Sequence, residues 1–155
     1  MSKQEKRSKK QKKLTKLLNA QSILISTAIR LMMQGTEEAT TELAINYRDQ
    51  EYLIPMKRPH DMLIVTREIT KEGKIKISAK LQDTLKKRIR AVLKQSKEML
   101  LTAHDGTSDF AAIELGQWKK LIKAAELEMR VLFVETLFAE RMADTTSIKY
   151  DINLK

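Results

Sequence analysis

Between Leu127 and Phe138 the chain reads LEMRVLFVETLF, with only Glu128, Arg130, Glu135 and Thr136 interrupting the apolar residues. A helix that is apolar almost all round does not lie on a surface as an ordinary amphipathic helix does. It is central in its own domain or is covered by another subunit. Leu127, Val131, Phe133, Val134, Leu137 and Phe138 are therefore candidate contacts in a homo-oligomer or a larger assembly. The opposite extreme is the start of the chain, where no apolar residue stands between Met1 and Leu14. Residues 1–13 have nothing with which to join a core and read as a basic flexible arm, mobile or helical only on binding. Residues 14–155 are then a single domain, long enough to bury a core and too short to divide into two ordinary ones.

Charge follows the same division. The 155 residues carry 30 Lys and Arg against 20 Asp and Glu, a net +10. Residues 1–16 hold eight cations and one Glu (+7), and residues 67–100 hold eleven cations and four acids (+7). Residues 17–66 and 101–155 are each at −2. Two basic blocks on a mildly acidic body point to an anionic partner. In the first block Lys3, Lys6, Arg7, Lys9, Lys10, Lys12, Lys13 and Lys16 can follow nucleic-acid phosphates, with log K falling by roughly 0.9 per phosphate neutralised as salt rises tenfold. A solubility tail, a localisation signal and an anionic-lipid patch are the other readings of such a block. Lipid is the weakest of these, because no aromatic residue is interleaved.

Helical spacing runs from Leu14 to Met32, with Leu17, Leu24 and Leu31 one heptad apart beside Leu14, Leu18, Ile25, Ala28 and Met32. Gly35 reads as its stop and Thr36, before Glu37 and Glu38, as the cap of a shorter helix to about Asp49, with Ala39, Leu43 and Tyr47 inward. That second helix is too acidic to be the base-reading half of a helix-turn-helix. Pro55 and Pro59 bracket an extended connection. Asp61 to Ser78 reads as a β-hairpin whose three-residue loop, Lys71-Glu72-Gly73, pairs Ile69 with Ile75 and Glu68 with Lys76. Lys71, Lys74 and Lys76 near its tip form either a wing along a nucleic-acid backbone or protection of an exposed strand edge.

Ser78 reads as the cap of a long helix to about Ala103, with Leu81, Leu85, Ile89, Val92, Met99 and Leu100 on one side. Lys86, Lys87, Arg90, Lys94 and Lys97 gather on the opposite side, with Asp83 the lone acid among them. A solvated face mixes Glu with Lys at i, i+4; a face of one sign repels itself unless an anion covers it. A further cap at Ser108 or Asp109 opens the last helix, to about Ala143. The final residues alternate, with Ile148, Tyr150, Ile152 and Leu154 on one face of a strand. That strand pairs with the hairpin or adds to a neighbouring subunit's sheet. The fold class expected is α+β and predominantly helical: about four helices, two of them long and C-terminal, a β-hairpin, a C-terminal strand and the arm.

Without Cys, thiol chemistry, disulfides and thiolate metal sites are excluded, leaving His60 and His104 as nitrogen ligands. The four glycines are isolated, so no phosphate-cradling loop is present. No nucleophile, acid/base pair or metal-ligand spacing emerges, and no enzyme activity, cofactor, metal or small-molecule substrate is expected. Polar residues interrupt every apolar run short of a signal peptide or membrane span, so a cytoplasmic, intracellular protein is the expectation, with nuclear or virion-associated placement left open. The function expected is non-enzymatic binding to DNA or RNA through backbone contacts of weak sequence selectivity, within an oligomer or nucleoprotein assembly. The alternative is an assembly or adaptor subunit docking through its apolar helix stripe or terminal strand.

Overall fold

The computed structural model describes residues 2–34, 39–102, 110, 113–143 and 151–154. Helix α1 spans Lys3–Met32. Its start is fixed by Ser2, whose side chain accepts from the Glu5 N–H at 3.2 Å while the Ser2 N–H donates to the Glu5 carboxylate at 3.3 Å, a reciprocal capping box. Residues 3–13 are thus the first three turns of a 30-residue helix.

The segment expected to form a second helix is a strand instead. Strand β1, Thr41–Tyr47, pairs antiparallel with β2, Gln50–Met56, through the two-residue turn Arg48-Asp49. Both turn residues have positive φ, 49° and 62°, the twist that a two-residue hairpin requires and that Asn-Gly usually supplies. Leu43, Ile45 and Tyr47 alternate inward, as do Tyr52, Ile54 and Met56, so the period is two and not 3.6. A short 3-10 turn, Pro59–Met62, follows Arg58, which sits at φ 52°.

Strands β3, Leu63–Ile69, and β4, Ile75–Leu81, form the expected hairpin, with Glu68 opposite Lys76, Ile69 opposite Ile75, and Gly73 at φ 77°. Ser78 is a buried residue of β4, not a helix cap, because Ile77, Ala79 and Leu81 alternate into the core. Helix α2 begins only at Asp83 and ends at Thr102, with the Gln82 carbonyl accepting from the Leu85 and Lys86 N–H groups. Helix α3 spans Leu115–Ala143 and opens with the Glu114 N–H donating to the Gln117 side chain. The expected cap at Ser108 or Asp109 lies outside the described residues. Strand β5, Asp151–Leu154, runs parallel to β4, completing a sheet of order β3-β4-β5. The described residues therefore hold three α-helices, not four, and two small sheets.

The helices pack α1 up, α2 down and α3 up. Ser96 of α2 donates to the Leu24 carbonyl at 2.9 Å and Arg88 to the Met32 carbonyl at 2.9 Å, so residues further along α2 meet residues further back on α1. Gln21 of α1 donates to Glu128 of α3 at 2.7 Å, and Leu14 to Gln21 lie along Gln117 to Ala124, so α1 and α3 run parallel. The core joins Leu24, Ile25, Ile29 and Met32 of α1 to Leu85, Ile89 and Leu93 of α2, Phe133 of α3, and Leu43, Ile45, Ile54 and Leu81 of the sheets. Phe133, Val134, Leu137 and Phe138 are all buried within the chain, so the apolar segment is central in its own domain. Arg141 closes the far end of α3 by donating to the His60 and Leu63 carbonyls.

Candidate nucleic-acid interface

Leu24 is level with Ser96, so α2, ending six residues later, reaches only as far as Leu18; the start of α3 lies alongside the stretch from Lys9 to Leu17, which shares a cleft with Ile113 and Gln117. The part of α1 from Lys3 to about Lys16 therefore runs past the described end of α2, by about 21 Å at ~1.5 Å per residue, and from Lys9 onward is flanked by the start of α3. Its eight Lys and Arg side chains are all exposed. They sit at the positive end of the helix macrodipole and repeat at i, i+3 and i+4, two arrangements that destabilise a free helix and that bound anions relieve.

On α2 the five expected cations fall on the flank toward α3. Arg90 pairs with Glu126 at 2.6 Å, and Lys97 lies 5.5 Å above the ring of Trp118. Lys86 is only 4.0 Å from Asp83, whose side chain is almost fully exposed, a weak pair. Lys87 and Lys94 are exposed and hold no ion pair among the described residues. Arg88, on the other flank, serves α1: it donates to the Met32 carbonyl at the end of that helix, and partial burial lowers its pKa by desolvation.

Sequence reasoning missed the cations of α3. Lys119, Lys120 and Lys123 are exposed and Arg130 is half-buried, and their spacing puts them beside the α2 face. A cleft of about 560 Å³ is lined by Arg90 of α2 with Lys120, Lys123, Leu127 and Arg130 of α3. It shares Lys120 and Ala124 with a narrower apolar cleft between Leu14, Leu17 and Leu18 of α1 and Leu121 of α3. That one shares Leu17 and Gln117 with a third cleft of about 300 Å³, where Lys9, Lys12, Lys13 and Lys16 stand over Ile113. Three clefts thus join end to end, and α3 connects two basic blocks that are far apart in sequence.

The hairpin contributes nothing to this track. Residues 71–76 are exposed and line none of the three clefts, and the base of β3 is bonded to Arg141 at the opposite end of α3. Among the residues expected at an interface, Leu127 (63% exposed) and Val131 (36%) remain at the surface. Ile148 and Tyr150, and the side chains of Ile152 and Leu154, lie outside the described residues. Among the described residues no three His, Asp or Glu side chains gather as metal ligands, and no helix is long and apolar enough to cross a membrane. The chain matches no family model, no curated protein and no solved structure.

Proposed function

We propose that this chain is a non-enzymatic nucleic-acid-binding protein that contacts the phosphate backbone through the first four turns of α1 and the facing basic flanks of α2 and α3, within an oligomer or nucleoprotein assembly. The observation that carries the reading is the joined track, in which Lys9, Lys12, Lys13, Lys120 and Lys123 are exposed without an ion pair among the described residues, with Lys87, Lys94 and Lys119 exposed and likewise unpaired on the helices outside the clefts. Cations left unpaired on rigid helices are ready to displace the counterions of a phosphate chain, and their like-charge repulsion falls when they do so. Selectivity among sequences is weak, since Lys and Arg contacts to phosphates set position and not base identity.

Labelled DNA and RNA titrated at several salt concentrations test this directly. Tight binding at low salt with a steep salt slope is the expected result, and the slope becomes shallower when residues 1–13 are removed. Reversing Lys87, Arg90 and Lys94 to Glu weakens binding while the helical circular dichroism signal is kept. Absence of binding at low salt contradicts the proposal.

A second reading has its own observation. Leu14 (58% exposed), Leu18 (52%) and Leu127 (63%) leave apolar surface beside the track, which favours a protein contact of an assembly subunit. Light scattering checks it: a mass above the 17.9 kDa monomer supports a homo-oligomer, and a monomer at high concentration counts against one.

A further inference from the structure

We infer that the partner of the track is a double helix and not a single strand. This rests on the nucleic-acid reading and goes further by naming the form of nucleic acid. Proteins that hold single strands place exposed aromatic rings where bases stack. Here Tyr47, Tyr52, Phe110, Trp118, Phe133 and Phe138 are each 7% exposed or less. Trp118, the aromatic nearest the track, is stacked on Phe110 at 6.1 Å and covered by Lys97. No described Tyr, Phe or Trp ring is exposed to a base.

The cations are also arrayed in a way that suits a stiff ligand. They project from long helices whose backbones fix their spacing. From Lys9 to Gln21 on α1, and on from Glu128, bonded to Gln21, to Arg130 on α3, the parallel helices advance 14 residues, about 21 Å. One turn of duplex advances ~34 Å, so the array follows roughly two-thirds of a turn. A duplex brings its phosphates to such an array already ordered, whereas a single strand loses conformational freedom to match it and gains no stacking in return. The duplex also carries the denser charge, one per ~1.7 Å of axis, so it releases more counterions over the same length.

The test is competition at one moderate salt concentration, using the full chain and 20-nucleotide probes: duplex DNA, duplex RNA, and single strands of each. At least one duplex is expected to bind tenfold or more tightly than its own single strands, and the two duplex arms show which helix form fits. Shortening that duplex should leave affinity nearly unchanged until it is shorter than the track, about 21 Å, and lower it steeply below that length. The fluorescence of Trp118 should not be quenched by a single strand. Single strands that bind as tightly as both duplexes overturn the inference while leaving the nucleic-acid reading standing. Failure of every probe to bind overturns that reading and this inference with it. Polyglutamate that displaces the duplex at equal charge concentration also overturns both, by making the track a general anion surface.

Discussion

The two halves of α1 are one continuous helix in opposite surroundings. From Ala20 to Met32 it buries Leu24, Ile25, Ala28, Ile29 and Met32 and is bonded to α2 through Ser96 and Arg88. From Lys3 to Lys16 it buries nothing and carries eight cations. The buried half is held by packing; the exposed half is held by propagation from it, by the Ser2–Glu5 capping box and, from Lys9 onward, by its place beside the start of α3. One half therefore sets stability and the other is free to be selected for binding.

The sharpest way to break that contrast is to cut a core side chain. Leu24→Ala should cost about 2–5 kcal/mol, read as a shift in the denaturant midpoint, because the methyl groups removed leave a cavity between α1 and α2. Leu14→Ala, on the same helix, should cost less than about 0.5 kcal/mol. Ser96→Ala should fall between them at about 1 kcal/mol, since it removes a buried hydrogen bond across the same helix pair. Ser2→Ala should leave the midpoint unchanged and reduce low-salt helicity as the first turn frays, an effect of ~1 kcal/mol or less on the helix terminus alone. The smallest effect belongs to Tyr47→Phe. Its buried hydroxyl finds no partner among the described residues, so removing it should be neutral or slightly stabilising in the same unfolding measurement.

Much of this contrast was legible in the sequence, because the missing apolar residues before Leu14 and the heptad-spaced leucines after it are both visible there. The β3–β4 register was legible too, since only a loop ending in Gly73 keeps Ile69 opposite Ile75. Residues 36–49 misled because Leu43 and Tyr47 satisfy helical and strand spacing alike, and only Ile45 decides between them. The β1–β2 turn uses Arg48-Asp49 without glycine, and Pro55 within β2 masks an otherwise alternating strand. The α3 cations were hidden by averaging. Residues 101–155 total −2, yet Lys119, Lys120, Lys123 and Arg130 share a side of the helix while Glu128 faces α1. Grouping charges by helix face instead of by segment would have found them.

The central claim is that α3 links the overhanging half of α1 to the basic face of α2 in one binding track. The direct measurement is the salt dependence of duplex binding for the full chain and for a variant with Lys119, Lys120, Lys123 and Arg130 all changed to Gln. The account predicts weaker binding and a salt slope shallower by up to about 0.9 for each phosphate contact removed, with the unfolding midpoint little changed. An unchanged affinity and slope in that variant would contradict it, leaving two basic surfaces with nothing between them.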